Sequence, residues 1–355
     1  MKDASLDEAL NGDLVSGVLV DEHALGGPRG TPWSSAATVA ASWSRGAVAA
    51  TAAQRTLAAP VQLTGVGLHS GAAVTLTLRP GTPGQGLWIR RLDVTDRDPM
   101  IPARWDHVVD TRLCTVLGNA AGVTVSTVEH LMAALAGFGV DNLEIHIDGP
   151  EVPVMDGSSA AFVAAIQEVG TIAQPAVRQA IRLLDEVTVE EGQTWLALRP
   201  APRGLTIEAE IQFTSPVIGH QHHAITVTPD SFREDLADCR TFGFAHEVEM
   251  LRANGLARGG SLDNAVVIDG DRVLNPEGLR RPDEFVRHKA LDALGDLALA
   301  GHPIIGAYAG LRPSHRANNL LLRALFARPD AWRLEPALGS IADVSGRAQE
   351  SRRRA

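Results

Sequence analysis

The sequence predicts an α+β fold of two similar βααβ layered-sandwich domains, packed helix to helix and each carrying a small insert. Three observations lead to this fold class. The chain of 355 residues is long enough for two cores. Its 45% hydrophobic and 21% charged content is typical of a globular protein. Strands and helices also follow the same order in both halves, which indicates an architectural repeat even though the halves share negligible sequence identity.

Composition sets the predicted boundaries. Residues 1–54 are rich in Ala, Gly and Ser and lack helical or strand periodicity, so we predict a poorly ordered N-terminal extension. The first domain is predicted over 55–178 and the second over 179–335. Residues 336–355, which end in a basic run, are predicted to form a C-terminal tail.

The first half is predicted to contain two strands, a helix, a strand and a second helix, over residues 73–80, 87–94, 126–137, 142–149 and 158–170. In the first of these helices, Ser126 and Glu129 have the spacing of a capping box. Gly137 supplies the stop signal at its other end. His146 alternates with apolar residues and is predicted to lie on a strand face.

The second half is predicted to contain three strands, a long helix, a strand and a last helix, over residues 180–191, 194–200, 205–213, 282–301, 304–310 and 316–327. Pro282 and Gly301 mark the two ends of the long helix. His220, His222 and His223 stand between strand-like stretches, where we favour a turn over a second metal site.

The long helix carries a polar stripe. His288, Asp292 and Asp296 are spaced i, i+4 and i+8, so they share one helix face, while leucines occupy other faces. An imidazole nitrogen of His288 and a carboxylate oxygen of Asp292 can therefore bind one metal ion. The alternative is a solvated face with a helical ion pair, since such pairs are common.

A catalytic zinc site needs a third protein ligand and an open position for water. His130, on the corresponding helix of the first half, is the best donor. Its neighbour Glu129 would then hold the attacking water and accept its proton. A buried core histidine is the alternative for His130.

His315 opens the last helix, where the positive end of the helix dipole lowers the pKa of a histidine unless an anion compensates. Asp296 is the candidate anion, which would orient the ring and keep it protonated. The alternative is that His315 only helps to cap the helix.

Bulk properties exclude several classes of function. A net charge of −10 argues against a general nucleic-acid binder. The sequence has neither an apolar run of membrane-spanning length nor a basic N-terminal export signal. Glycine pairs such as Gly259-Gly260 fit neither a P-loop nor a Rossmann pattern. Cys114 and Cys239 are the only cysteines, which indicates a reducing cytoplasm. Lys289 is the only lysine besides Lys2, so a role in chemistry is expected for it.

Seven stretches between Arg55 and Trp332 carry a family resemblance: TGVGLHSG, DTRLCT, STVEHLMAALAGFGVDN, EVPVMDGSS, CRTFGF, GLARGGSLDNAVV and DEFVRHKALDALGDL. They resemble the UDP-3-O-acyl-N-acetylglucosamine deacetylase family of Gram-negative bacteria. STVEHL and HKALDALGD are highly specific. The resemblance implies zinc-dependent hydrolysis of the N-acetyl group of UDP-3-O-(3-hydroxyacyl)-N-acetylglucosamine, the committed step of lipid A biosynthesis.

The resemblance also implies a role for each matching residue. One Zn²⁺ per chain, or Fe²⁺ in the cell, would be bound by His130, His288 and Asp292. The catalytic residues would be Glu129 as base, His315 as acid, Asp296 as its partner, and Thr241 and Lys289 at the oxyanion. Substrate contacts would come from Phe242, Cys114, Leu113 and Ser261, and an insert at about 243–267 would form a passage for the acyl chain.

The expected partner is the acylated UDP-sugar, handled by a cytoplasmic monomer close to the membrane through its lipid pathway. Two rivals stay open, an amidohydrolase for a different N-acylated amino sugar and a non-catalytic binding module. The family usually has Ser-Gly-His before the last helix, whereas this chain has Pro313-Ser314-His315. If glycine is wanted there for its backbone freedom, serine would shift the loop.

Overall fold

The computed structural model describes residues 51–338. Nearly all of the predicted N-terminal extension and C-terminal tail therefore lies outside the described residues. Two residues assigned to the extension, Ala53 and Gln54, belong to the first strand, which pairs antiparallel with a strand at 171–177. The other end of the described chain, Trp332–Pro336, is also a strand.

The strands are β1 (Ala53–Leu57), β2 (Val61–Val66), β3 (Ala73–Pro80), β4 (Leu87–Arg91), β5 (Met100–Pro102), β6 (Val108–Asp110), β7 (Val116–Gly118), β8 (Thr124–Val125), β9 (Leu143–Ile147), β10 (Thr171–Val177), β11 (Gln179–Leu183), β12 (Val187–Glu191), β13 (Thr194–Arg199), β14 (Leu205–Gln212), β15 (His220–Thr226), β16 (Phe242–Phe244), β17 (Val266–Asp269), β18 (Arg272–Val273), β19 (Ile304–Leu311) and β20 (Trp332–Pro336). The helices are α1 (Glu129–Gly137), α2 (Ala160–Val169), α3 (Ala245–Ala253), α4 (Glu284–Ala298) and α5 (His315–Phe326), with short helical turns at Trp105–His107 and Pro229–Leu236.

The two main sheets have the same topology. The first sheet runs β2-β3-β9-β4-β5, and the second runs β12-β13-β19-β14-β15. In the second sheet β11 also pairs with β19, and β20 pairs with β11. In each sheet the third and fourth strands of this order are parallel and the other neighbours are antiparallel. A helix precedes the central strand and another follows it in both halves. The predicted α+β class is confirmed, and the predicted domain boundaries stay predictions.

The strands form where apolar residues alternate. On β3, Val74, Leu76 and Leu78 point into the core, and on β9 Ile145 and Ile147 do the same. Because successive side chains of a strand point to opposite faces of the sheet, this alternation buries one face and leaves the other for polar residues. The predicted strand position of His146 is confirmed.

The helices cover the buried faces of the sheets. Helix α4 lies on β14 and β15, α5 lies on β12 and β13, and α1 packs along α4. Both α1 and α4 are buried over most of their length. The polar stripe of α4 is therefore not a solvated face, because His288, Asp292 and Asp296 are each less than 5% exposed.

Glycine allows the closest approach between α1 and α4. A Cβ atom on Gly295 would lie 2.0 Å from the backbone oxygen of Glu129 and 3.1 Å from its Cα. Real Cβ atoms do not approach so closely, so only glycine fits. Gly295 lies inside a helix, where glycine costs about 1 kcal/mol relative to alanine. The helix contact offsets this cost.

Two local predictions were wrong: the capped start of the first helix at Ser126 and the single strand over 180–191. Helix α1 begins at Glu129 after Val128, without a side-chain cap; the Ser126 hydroxyl donates to the Pro150 carbonyl instead. The Glu129 carboxylate is occupied by the backbone N–H of Thr115, so it cannot close a capping box. The region 180–191 is two strands, β11 and β12, because the chain leaves the sheet near Leu184.

The histidines at 220–223 lie on a strand, not in a turn. They form β15, which pairs with β14 across the whole of its length. His220 and His222 contact the Glu210 and Glu208 carboxylates at 2.6 and 2.8 Å. The turn comes just before them and ends at Gly219, which has a positive φ. No helix within residues 51–338 is both long and apolar enough to cross a membrane.

We predict that Gly295→Ala destabilises the protein, because the added methyl group must push α1 away from α4. Overpacking of this kind costs about 1–3 kcal/mol, more than the helix propensity that alanine gains. Urea unfolding with a chelator present measures the free energy of unfolding without any contribution from metal. Gly243→Ala is the matched control, since its Cβ would meet only Val248, at 3.9 Å. Equal stability of the two variants would contradict the packing argument.

Candidate metal centre and catalytic pocket

A small pocket lies where α1, α4 and the start of α5 meet. Helix α1 contributes Glu129 and His130 from its first turn. Helix α4 contributes His288 and Asp292 from successive turns of one face. The pocket is lined by residues from both halves of the chain: Leu68, His69, Leu113, Cys114, Thr127, Glu129, His130, Thr241, His288, Asp292 and His315.

Three side chains converge on one point. His130 Nε2 lies 3.5 Å and His288 Nε2 lies 3.4 Å from Asp292 Oδ1. The three ligand atoms all lie within 4.8 Å of one another, and each residue is buried. Among the described residues, these three form the one cluster of His, Cys, Asp or Glu side chains whose ligand atoms are close enough together to bind a metal ion. The structure thus brings together the three predicted ligands, although His130 and His288 are 158 residues apart by number.

The donor atoms fit a divalent cation. Asp292 Oδ1 is buried and has no hydrogen-bond partner, so a carboxylate oxygen stands ready for a ligand. His288 Nδ1 lies 3.0 Å from the Cys239 carbonyl, which can only accept, so Nδ1 carries the proton and Nε2 a lone pair. Burial lowers the pKa of His288 to about 4, which keeps the ring neutral at pH 7. Two imidazole nitrogens and one carboxylate oxygen suit zinc.

Glu129 lies beside these ligands without being one of them. Its Oε2 accepts the backbone N–H of Thr115 at 3.0 Å, and its Oε1 lies 3.6 Å from His315 Nε2. Burial raises the pKa of Glu129 although the neighbouring His315 and His130 lower it. A carboxylate with a raised pKa is suited to accept a proton near neutral pH.

His315 faces Glu129 across the pocket. Its Nδ1 lies 2.9 Å from Asp296 Oδ2, which leaves Nε2 toward the pocket. Burial would lower the pKa of His315, but the Asp296 and Glu129 carboxylates outweigh burial and raise it to about 10. The ring is therefore protonated at neutral pH. Capping of α5 is done by Ser314, whose hydroxyl accepts the N–H of Ala317, so His315 is free of that role.

Asp296 is held by three donors. The Thr115 hydroxyl donates to Oδ1 at 2.6 Å, and the Asn318 amide donates to Oδ2 at 2.8 Å, beside His315. Asn318 in turn accepts from the buried hydroxyl of Tyr308. Thr115 thus contacts two buried carboxylates, Glu129 through its backbone and Asp296 through its side chain.

The two predicted oxyanion residues take different positions. Thr241 lines the pocket. Lys289 is 4% exposed, and its Nζ donates to Asp292 Oδ2 at 3.2 Å. The same ammonium lies 5.8 Å from the centre of the Phe242 ring, within reach of a cation–π contact. Lys289 is thus buried beside a candidate ligand.

The predicted substrate contacts are only partly brought together. Leu113 and Cys114 line the pocket, and burial raises the pKa of the Cys114 thiol, so it is not an activated nucleophile. Phe242 is buried behind the pocket against Phe285 and His288. Ser261 is exposed on the predicted insert and does not line the pocket.

The sequence did not single out His69. Its ring lines the pocket, and both ring nitrogens are buried without a hydrogen-bond partner. Burial lowers its pKa, so the ring is neutral. The buried Glu151 holds the loop by accepting the backbone N–H groups of His69 and Ser70. The only signal in the sequence was that His69 lies in TGVGLHSG, a stretch that carries the family resemblance. Its distance along the chain from the ligand-bearing helices gives no periodic pattern that would link it to them.

Comparisons with known proteins relate the chain to one family. The model of the family UDP-3-O-acyl N-acetylglycosamine deacetylase matches residues 54–327. A protein of Phenylobacterium zucineum (strain HLK1) is 52% identical over 291 residues, which cover 82% of this chain and 99% of that protein. Proteins of Myxococcus xanthus (strain DK1622) and Shewanella frigidimarina (strain NCIMB 400) are 49% and 47% identical over 284 and 283 residues, covering 80% and 79% of this chain and 90% and 92% of theirs. All three carry the name UDP-3-O-acyl-N-acetylglucosamine deacetylase.

We predict that His288→Ala removes metal binding, because only one imidazole and one carboxylate would be left. Metal content per chain, measured by atomic emission after dialysis, should fall from about one equivalent to near zero. His222→Ala is the matched control, since His222 lies on the outer face of β15 beside Glu208. Retention of one equivalent in His288→Ala, or its loss in His222→Ala, would place the metal elsewhere.

Proposed function

The chain belongs to the UDP-3-O-acyl N-acetylglycosamine deacetylase family, and we propose that it hydrolyses the N-acetyl amide of a UDP-3-O-acyl-N-acetylglucosamine. The products are acetate and the free amine. One observation carries the proposal: Asp292 Oδ1, unpartnered, faces two histidine nitrogens, beside a carboxylate and a histidine only 3.6 Å apart. A metal site next to a base and an acid is what metal-assisted amide hydrolysis requires.

We propose Zn²⁺ as the resident ion, bound by His130, His288 and Asp292. When bound there, a divalent ion supplies Lewis acidity, which lowers the pKa of water and polarises a carbonyl group. Fe²⁺ suits the same two imidazoles and one carboxylate, so the ion loaded in the cell depends on availability.

Glu129 is the proposed general base. Its Oε1 points into the pocket while Oε2 is fixed by the Thr115 N–H. This hydrogen bond holds the carboxylate in one orientation. Oε1 can then take the proton from the water whose oxygen attacks the acetyl carbon, and the raised pKa of Glu129 makes it basic enough to do so.

His315 is the proposed general acid. As the carbon–nitrogen bond breaks, its Nε2 donates a proton to the departing amine of the sugar. The ring is then neutral, and Glu129 carries the proton taken from water. Because His315 Nε2 and Glu129 Oε1 are 3.6 Å apart, a small movement passes that proton back and restores both groups. The cycle is balanced, and one water is consumed for each amide.

The developing oxyanion is proposed to be stabilised by the Thr241 hydroxyl and the Lys289 ammonium. Thr241 lies in the pocket wall. Lys289 contributes its charge from beside Asp292. A hydroxyl donor and a positive charge would stabilise the negative charge that forms in the transition state more than they stabilise the neutral amide.

The substrate assignment follows from family membership. The acylated UDP-sugar in the relatives' names would place the 3-O-acyl chain along the insert at 243–267 and the acetamide at the metal centre. We propose that this is the committed step of lipid A biosynthesis and that it takes place in the cytoplasm in a monomeric chain. The remaining alternative is an amidohydrolase for a different N-acylated amino sugar. Comparing acetate release from substrates with and without the 3-O-acyl group separates the two.

We predict that Glu129→Gln keeps the metal and loses turnover by roughly 10²-fold or more, the usual scale for a general base. Glutamine keeps the shape and the contact with the Thr115 N–H but accepts no proton. The assay measures acetate and free amine from the acylated UDP-sugar, beside metal content. Glu144→Gln, on β9 outside the pocket, is the control. Absence of acetate release by the metal-replete wild type would refute the function, and near-normal turnover of Glu129→Gln would refute only the base.

We predict that the basic limb of the kcat/KM profile belongs to His315. The acid must be protonated, so activity is complete below the pKa of His315 and is lost as pH rises through it, toward the raised value of about 10. The acidic limb belongs to Glu129, whose activity is lost as pH falls through its own raised pKa.

Asp296→Asn tests this assignment directly. Removing the anion takes away a charge-assisted hydrogen bond of about 1.5–3 kcal/mol, which at 1.36 kcal/mol per pKa unit lowers the basic limb by roughly 1–2 pH units. His315→Ala should remove that limb altogether. A basic limb at the same pH in both variants would show that another group is the acid.

A further inference from the structure

We propose that the buried Arg240–Glu284 ion pair is a positioning device for the metal ligand His288. It would hold the Cys239 carbonyl where it fixes the His288 ring, with Nε2 aimed at the ion. This inference rests on the proposed function, because it concerns a ligand of the proposed metal. Neither Arg240 nor Glu284 lines the pocket.

The pair is almost completely buried. Arg240 is 1% exposed and Glu284, in the first turn of α4, is 0% exposed. Arg240 Nε lies 2.9 Å from Glu284 Oε1 and Arg240 Nη2 lies 3.2 Å from Glu284 Oε2, which is a two-point contact between planar groups. Glu284 also accepts the backbone N–H groups of Arg240 and Arg280. The carboxylate thus has four donors.

The guanidinium group has two further contacts, on the side away from Glu284. Arg240 Nη1 contacts Glu277 Oε1 at 2.6 Å, and Nη2 donates to the Gly278 carbonyl at 2.8 Å. Glu277 has a side chain that is 54% exposed, so this second ion pair is screened by solvent. The buried contact with Glu284 is the one that fixes Arg240 against α4.

The connection to His288 runs through the backbone. The second ring nitrogen of a metal-binding histidine is held by a carboxylate, a backbone carbonyl or water. Here the acceptor is the Cys239 carbonyl, one residue before Arg240. Cys239 is itself held by its backbone N–H on the Leu236 carbonyl and by its thiol on the Asp235 carbonyl. Arg240 ties this segment to α4, because both its backbone N–H and its side chain are bound to Glu284, one helical turn before His288.

The same segment supports two further pocket groups. Thr241 follows Arg240 directly, and its backbone N–H donates to Gly157 in the first half of the chain. Phe242 then packs on Phe285 of α4 with ring centres 4.9 Å apart. Residues 239–242 therefore lie alongside the first turns of α4. The Arg240–Glu284 ion pair is in the middle of this contact.

A contribution to the stability of the folded protein does not by itself explain a buried ion pair. Removing two charges from water costs several kcal/mol per ion, so a buried ion pair often stabilises a protein less than apolar residues of similar volume. The planar contact fixes the orientation of Arg240 relative to Glu284, because the two N–H groups of the guanidinium meet the two carboxylate oxygens in one geometry. A lysine would keep the charge but could not make the two-point contact and the Gly278 bond together.

The test compares three variants as purified full-length chains. Arg240→Lys keeps the charge and loses the fork, and Glu284→Gln keeps the shape and the oxygen acceptor and loses the charge. Glu277→Gln is the matched control, since it removes only the exposed partner of the same guanidinium. Co²⁺ is the probe: its affinity is measured by competition with a chelator, and its visible absorption spectrum reports the ligand geometry. Unfolding of the metal-free proteins is measured in parallel.

We expect Arg240→Lys and Glu284→Gln to bind Co²⁺ about 10–100-fold more weakly, the range for loss of a group that orients a metal ligand, with an altered spectrum. Glu277→Gln should match the wild type. If Arg240→Lys or Glu284→Gln is less stable yet binds Co²⁺ with wild-type affinity and spectrum, the pair is only structural and the inference is overturned. Wild-type protein that binds no Co²⁺ would instead refute the proposed metal site. Should Arg240→Lys fail to fold, the nearly isosteric Glu284→Gln decides alone.

Discussion

The contact between α1 and α4 is the constraint on which the rest of the molecule depends. These helices come from the two halves of the chain, and each brings only part of the pocket: Glu129 and His130 on α1, His288 and Asp292 on α4. The parts meet because Gly295 lets the backbone of Glu129 lie against α4 without an intervening side chain. The two similar sheets behind the helices then act as rigid supports, and their identical strand order explains why corresponding helices face each other.

Bringing these helices together buries charge, and the pocket is arranged so that every charge has a partner. Asp296 is saturated by Thr115, Asn318 and His315. Asp296 and Glu129 raise the pKa of His315, and burial raises the pKa of Glu129. Two groups 3.6 Å apart thus have environments that favour a proton donor on one side and a proton acceptor on the other. Asp292 Oδ1 has no hydrogen-bond partner, and it lies at the position where a cation would complete the balance of charge.

Much of this could be predicted from the sequence, for physical reasons that differ from residue to residue. The face shared by His288, Asp292 and Asp296 follows from helical periodicity, which depends only on local spacing. The order of strands and helices also follows from local patterns. The contacts of Thr115 and His69 could not be predicted, because they join segments that are distant in sequence and each uses a common residue type. The capping box at Ser126 and the turn at His220 were wrong for the same reason: Glu129 is held by Thr115, and His220 pairs with β14.

The departure at Ser314 has a physical explanation that the sequence alone did not provide. Ser314 has φ −137° and ψ 158°, an extended conformation open to any residue, so this position has no need of glycine. The positive φ of the loop falls on Arg312 instead. The Ser314 hydroxyl accepts the N–H of Ala317 and caps α5, a contact of about 1 kcal/mol that glycine cannot make. Since α5 begins at His315 and also carries Asn318, the cap steadies two of the groups around Asp296. Serine here supports the placement of His315 rather than disturbing it.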